Sequence, residues 1–286
     1  MRFKGGLPYI LISITKIRTK PLYQKFPIHF VFHTTQPIWR VWLDEKTEHW
    51  VIEHRNATQK TSLFSVGQVQ NKKVLVQEES LGLDWWASIA AVWDNHLIWT
   101  LYQDHHNPLQ QGFMVYNTTQ EQIIWEKGGH TFYQLYRQPT QVVGYSNRLE
   151  PIQLIHWDLV TGLEQPAAKE EDFKTQQLFP ARYSAKQPHF DTVATYVKQA
   201  VGEDVHQQID YLEIPHCILI GYYDAALFYK LLAIDLSGKI LAKESVYQAT
   251  NGIAIGNFFV FKNLIFIVKN KIELVTYSLN ELLGGV

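Results

Sequence analysis

The feature that most constrains this chain is a motif that recurs along it. Two short β-rich runs are separated by a polar gap, the second ends in a turn rich in Asp, Asn, Ser, Thr or Gly, and a third run follows. His96–Tyr102 is followed by Gly112–Asn117, the turn Thr118-Thr119-Gln120-Glu121 and Gln122–Trp125. Gln141–Tyr145 is followed by Ile152–Asp158, the turn 159–162 and Leu163-Glu164. Cys217–Tyr222 leads to Tyr229–Asp235, the turn 236–239 and Ile240-Leu241-Ala242. Asn263–Val268 leads to Ile272–Tyr277 and Ser278-Leu279-Asn280, and His49–His54, Asn56-Ala57-Thr58-Gln59 and Thr61–Val66 form an earlier, weaker copy.

The residue types explain the pattern. Asp158 and Asp235 can hydrogen-bond their own backbone two residues on, and Gly162 and Gly238 supply the positive φ of a tight turn. Val, Ile, Leu, Tyr and Trp around the turns suit a pleated surface. Cys217-Ile218-Leu219-Ile220 and 263–268 show little polar alternation, which predicts strands covered on both faces. Cys217, the one cysteine, reads as a small buried hydrophobe.

Turn anchors fall at Asn56, Asn117, Asp158, Asp235 and Ser278, giving intervals of 61, 41, 77 and 43 residues. Intervals of about 40–45 residues are the period of a four-stranded propeller blade. The 61-residue interval is assigned long loops around Gly67–Lys73 and Asp104–Gln111, and the 77-residue interval needs an insertion. That insertion begins in the polar stretch Glu164–Gln187. Phe190, Val193, Ala194, Val197, Ala200 and Val201 then follow the spacing of one helix face. Pro188 precedes this run and Gly202 can cap it, so a helix is expected at about 189–201, covering a hydrophobic edge of the sheets.

The last copy reaches only its third strand. An N-terminal strand is therefore expected to complete it and shelter the open edge, with Ile28–Thr34 the natural candidate and Leu7–Ile14 the alternative. The expected fold is all-β: a propeller of about five four-stranded blades. Its last blade is closed by an N-terminal strand. Residues 1–27 are read as a leader or extra strand and 28–286 as a single domain. A pair of β-sandwiches is the rival, with no reason to keep a period near 42 residues.

These repeats resemble propeller repeats of the quinoprotein and tryptophan-aspartate type, on the turns Asp158-Leu159-Val160-Thr161-Gly162 and Asp235-Leu236-Ser237-Gly238-Lys239. The chain is also similar to an uncharacterised bacterial family of about this length, on Ile38-Trp39-Arg40 and Trp85-Trp86. That resemblance implies no activity. The repeats lack a recurrent Gly-His and a regular tryptophan at one blade position, so no quinone or other cofactor is expected.

Composition narrows function. The 26 basic and 27 acidic residues leave a net charge of −1, which gives no phosphate-driven attraction to nucleic acid. Lys16, Arg18, Lys20 and Lys25 read as a solvated tail. The apolar stretch Leu7–Ile14 lacks a small-residue cleavage site and is too short to span a bilayer, so no membrane association and a cytoplasmic location are expected. No phosphate loop, nucleophile elbow, zincin motif or paired-cysteine zinc signature is present. Adjacent acids such as Glu78-Glu79 and Glu170-Glu171 read as solvated.

Three constellations could carry chemistry. Asp104-His105-His106-Asn107 is metal-like, but neighbouring side chains on extended backbone diverge, so it is read as a polar loop with no metal. Glu53-His54-Arg55 lies at a strand end, with Glu53 and Arg55 on one face and His54 on the other. It is read as an ion pair holding the blade, or a lining of the channel. Most of the nine tryptophans read as core, but Asp84-Trp85-Trp86 opens the second blade, and because consecutive indoles on a strand cannot face the same side, the alternative is that one of the two is exposed and can stack on a sugar, a base or a peptide ring.

The first functional expectation is a non-enzymatic scaffold for a protein or peptide partner. The alternative is a hydrolase or lyase, or a ligand sensor, acting on a small molecule or glycan at the channel mouth. Asp84, Trp85, Trp86, Glu53, Arg55, His54 and His105 are the residues to suspect. An enzyme requires three or more of them to converge with a base in reach of substrate.

Overall fold

The apolar runs of the repeat become strands, and its Asx and glycine positions become turns. The computed structural model of the chain describes residues 23–102, 109–148, 150–169, 173–249 and 258–284. Strand β1 (Ile28–His33) comes first. A meander follows: β2 (Ile38–Asp44), β3 (His49–Asn56), β4 (Thr61–Gln68) and β5 (Val74–Glu79). The second consists of β6 (Ser88–Trp93), β7 (His96–Tyr102), β8 (Gln110–Asn117) and β9 (Gln122–Gly128). The third consists of β10 (His130–Arg137), β11 (Thr140–Ser146), β12 (Leu154–Asp158) and β13 (Glu164–Gln165). The insertion carries β14 (Gln177–Leu178), β15 (Ala181–Ser184) and helix α1 (Phe190–Val201). Then come β16 (His206–Ile214), β17 (Cys217–Tyr223), β18 (Phe228–Asp235) and β19 (Ile240–Gln248), and finally β20 (Phe258–Phe261), β21 (Leu264–Lys269), β22 (Glu273–Ser278) and the short α2 (Leu279–Leu282).

The fold is all-β and of the propeller class, with five antiparallel sheets as its blades and one inserted helix. The first three sheets have four strands each. The fourth and fifth have five, because β15 extends one beside β16 and β14 extends the other beside β20. The insertion is therefore woven into two sheets as well as supplying the helix. β1 lies beside β22 in the fifth sheet, so 28–34 is the closing strand; Leu7–Ile14 lies outside the described residues.

The described residues fall in two compact units, one of 32–176 and 271–273, the other of 23–31, 177–270 and 274–284. In the first unit, Val51, Phe64 and Val66 pack against Ile89, Leu97, Trp99 and Met114, joining the first two sheets. Ile98, Phe113 and Val115 pack against Val142, Trp157 and Leu159, joining the second to the third. In the other unit, Leu219, Tyr229 and Leu231 meet Phe258, Val260 and Ile265. Phe190, Val193 and Val197 of α1 lie on Ile209, Ile220, Tyr222 and Leu232, covering the opposite face of the fourth sheet. Gly202, at φ 73°, ends this helix and its N–H donates to the Lys198 carbonyl. Cys217 is buried, and burial pushes its thiol up to about 11.

The turns work as expected, with one correction of phase. Asp158 Oδ1 accepts from the N–H groups of Val160 and Thr161 (3.1 and 2.7 Å), and Asp235 Oδ1 from those of Ser237 and Lys239 (both 2.9 Å). Gly162 (φ 65°) also lies against the Trp125 indole, where a Cβ would collide. Asn56, however, anchors the turn between the second and third strands of its sheet, whereas Asn117, Asp158 and Asp235 anchor the turn between the third and fourth. The 61-residue interval arises from that offset of one hairpin, and 69–73 is the sheet's own third turn rather than an added loop. The same Asx hydrogen bonding serves either position, so residue type alone does not distinguish them.

Candidate functional site

The candidate site lies in the unit of 32–176, where β3 meets β4 and the segment leading into β6. Side chains alternate along β3, so Glu53 and Arg55 share a face as expected, and both are buried. Arg55 Nη2 lies 2.5 Å from Glu53 Oε1. The Glu53 carboxylate also accepts from Ser88 Oγ (2.9 and 3.2 Å) and from the Ile89 N–H (3.2 Å). Burial pushes the Glu53 carboxyl up, opposed by Arg55, Ser88, Arg40 and the Ile89 N–H. Burial pulls Arg55 down, opposed by Glu53. Arg55 Nη1 donates to Ser62 Oγ and to the Ala87 carbonyl (2.8 Å for the latter).

The segment 84–87 is a turn, not a strand, which corrects the expectation for its two indoles. Asp84 Oδ1 accepts from the N–H groups of Trp86 (2.8 Å) and Ala87 (3.2 Å). Ser62 Oγ lies 2.8 Å from both the Asp84 and Ala87 carbonyls, fastening the turn to β4. The turn leaves Trp86 39% exposed and holds half-buried Trp85 with its ring centroid 6.0 Å from the Arg55 guanidinium. Lys60 Nζ lies 5.1 Å from the same ring. Trp39 flanks Arg55 at 5.4 Å and is 56% exposed.

His54 points to the other face, as alternation requires. It is fully buried, with Nε2 2.8 Å from Ser65 Oγ. Ser65 Oγ in turn accepts from the Glu78 N–H at 2.8 Å. Burial lowers the imidazole to about 4, opposed by the Glu78 carboxylate and the Gln36 carbonyl. The structure thus gathers Glu53, Arg55, Asp84 and Trp85 and sets Trp86 at the rim. It sends His54 elsewhere, and His105 lies outside the described residues.

Sequence reasoning did not single out Trp39, Lys60, Ser62 or Ser88 for this site. Ile38 pairs with His54 and Arg40 with Glu53, so Trp39 is the extra residue of a β-bulge. Bulges re-aim side chains, and no residue type announces this one. The serines become meaningful only once the turn 84–87 folds over β4. Chemically, the carboxylates here are engaged by internal donors. Outward, the site offers indole faces and the cations Arg40 and Lys60. Among the described residues no group of three or more His, Cys, Asp or Glu side chains is placed to hold a metal ion.

Fold and site together define a propeller-class chain with an aromatic and cationic surface built on a buried ion pair. A family described as a domain of unknown function, DUF4905, matches residues 43–125, which include every gathered residue except Trp39 and Arg40. No curated protein matches the chain. Similar solved structures include TolB from Acinetobacter baumannii, at 11% identity, 85% of this chain, 55% of that chain and a TM-score of 0.30. The β-propeller domain of the Trilobed protease from Pyrococcus furiosus is similar at 12% identity, 84% and 79% coverage and a TM-score of 0.32. A prolyl endopeptidase is similar at 10% identity, 86% and 40% coverage and a TM-score of 0.29. The chain thus spans about half the length of the TolB chain.

Proposed function

We propose that the chain is a propeller scaffold, without catalysis of its own, that binds a protein or peptide partner through the surface around Trp39, Trp86 and Lys60. One observation carries this reading: the carboxylates that could do acid–base work accept from donors of the protein itself, Glu53 in the interior and Asp84 at an exposed turn, while the indoles of Trp39 and Trp86 and the Lys60 ammonium are turned outward. Glu53 spends its carboxylate on Arg55, Ser88 and the Ile89 N–H. Asp84 caps a turn. Trp39 and Trp86 are exposed at 56% and 39%, a poor use of large apolar side chains unless something covers them. Tryptophan and arginine are the side chains on which protein interfaces most often depend. The buried pair beneath holds the surface rigid, which lowers the entropic cost of binding.

The test is selection of peptides from a random display library against the full chain, followed by titration against wild type, Trp39→Ala and Trp86→Ala. Each variant should weaken binding about fivefold or more, the effect of losing an interface anchor worth over about 1 kcal/mol. Peptides that bind both variants as tightly as wild type would refute this surface. Turnover of an ester or glycoside substrate that disappears in Glu53→Gln would refute the non-catalytic reading.

A further inference from the structure

We infer that Trp39 and Tyr133 are two anchors for one extended acidic peptide, laid across the first strands of three successive sheets. The inference rests on the Trp39 surface proposed above and extends it. Its basis is a bulge that recurs at one position of these strands, all in the unit of 32–176. In β2, Ile38 pairs with His54 and Arg40 with Glu53, so Trp39 is left over. In β6, Ile89 pairs with Trp99 and Ala91 with Ile98, so Ala90 is left over. In β10, Phe132 pairs with Gly144 and Gln134 with Val143, so Tyr133 is left over. Each time, the residue just before the bulge donates its N–H to an acceptor outside its own sheet. Ile38 donates to the Lys271 carbonyl (2.6 Å), Ile89 to Glu53 Oε2 (3.2 Å) and Phe132 to Gln110 Oε1 (2.8 Å).

The bulge thus has one structural job in all three strands, and it re-aims one side chain each time. Trp39 and Tyr133 are 56% and 57% exposed, and Ala90 is half-buried. Strand β6 neighbours both β2 and β10, and equivalent positions of a repeat project alike, so the small Ala90 stands between two exposed rings. A single exposed ring needs no explanation; two at the same position of the repeat, with a methyl group between them, make a track. Packed sheets lie about 10 Å apart, which sets the rings up to about 20 Å apart, or about six residues of extended chain. One sugar ring or small molecule cannot bridge that span. A peptide can seat a side chain on each ring while its backbone passes over Ala90. Charge sets the peptide's chemistry. Arg40 and Lys60 are exposed at the Trp39 end, and the carboxylates beside them are engaged, Glu53 by Arg55 and Asp84 by the N–H groups of its own turn. The complement of this end is an Asp or Glu side chain.

The experiment selects binders of the full chain from a random peptide display library, at about twelve residues long enough to span both anchors. The selected peptides are then synthesised and titrated by fluorescence anisotropy. They should carry two apolar residues about six positions apart, with Asp or Glu beside one of them. Tyr133→Ala should weaken them about fivefold or more, as Trp39→Ala does. Tyr133→Phe, which keeps the ring, should bind as wild type. Cutting a peptide down to its acidic half should remove its sensitivity to Tyr133→Ala and leave that to Trp39→Ala. Lys60→Glu should weaken binding about twofold to fivefold at low salt, and the difference should shrink in 0.5 M sodium chloride. Binding that falls in Trp39→Ala but not in Tyr133→Ala overturns the two-anchor track and leaves the Trp39 surface standing. Binding indifferent to both variants, or a library that yields no binder, overturns the surface as well. Selected peptides without acidic residues, or as tight on Lys60→Glu as on wild type, overturn the acidic partner.

Discussion

His54 makes the stability of its unit depend on pH in a way that can be calculated. The imidazole is fully buried beside Ser65, and burial brings its pKa from 6.5 to about 4. The folded-state value is depressed, so between pH 4 and 6.5 the unfolded chain binds a proton that the folded chain refuses. Stability is therefore full above pH 6.5 and falls as pH drops toward 4. The whole shift is worth about 3 kcal/mol, and about 2 kcal/mol of it is lost between pH 8 and pH 5. All nine tryptophans of the chain lie within 39–157, inside the unit of 32–176. Indole fluorescence in urea titrations consequently reports on that unit alone. Wild type at pH 5 should be less stable than at pH 8 by about 2 kcal/mol more than the same difference in His54→Gln, with unchanged urea dependence. The effect of Glu78 lies lower, because hydrogen bonds from Thr35 and Gln36 hold its carboxyl below the usual value. Identical pH profiles in wild type and His54→Gln would refute the reasoning, as would a variant whose profile is the steeper of the two.

Arg55→Met strands the Glu53 carboxylate in the interior and should cost about 3–5 kcal/mol in the same urea assay, whereas pairing it with Glu53→Leu should recover much of that loss. Single and double variants of equal stability would show that the pair is not felt. Gly67→Ala places a methyl group into the Trp50 indole, an overpacking that should cost about 1–3 kcal/mol and be read as a lowered urea midpoint. An unchanged midpoint would mean that Trp50 moves aside freely.

Much of the fold is legible in the sequence because its signals are local. Asp158 and Asp235 bend their own backbone, Gly162 and Gly238 supply positive φ, and the apolar stripe of 190–201 repeats at helical spacing. Local chemistry of this kind does not depend on distant contacts, so the expected helix is found; the closing strand at 28–33 is legible for another reason, the missing fourth strand of the last copy. The sharing of one face by Glu53 and Arg55, with His54 opposite, is again a local signal: the period of a strand is two residues. What no local signal carries is phase and contact. Asn56 anchors the second turn of its sheet rather than the third, since the same hydrogen bonds serve both. Asp84 caps the turn of Trp85 and Trp86 with its own carboxylate, but that the turn lies on β4 is decided by Ser62, 22 residues earlier, which bonds the Asp84 carbonyl. Trp39 faces outward because one residue of β2 is left over when the strand pairs with β3. The chain's own residue order thus determined which segments are strands, turns and helix. Tertiary structure alone decided which cations are paired and which indoles are exposed, because a charge or a ring acquires its role from residues that folding, not sequence proximity, brings to it.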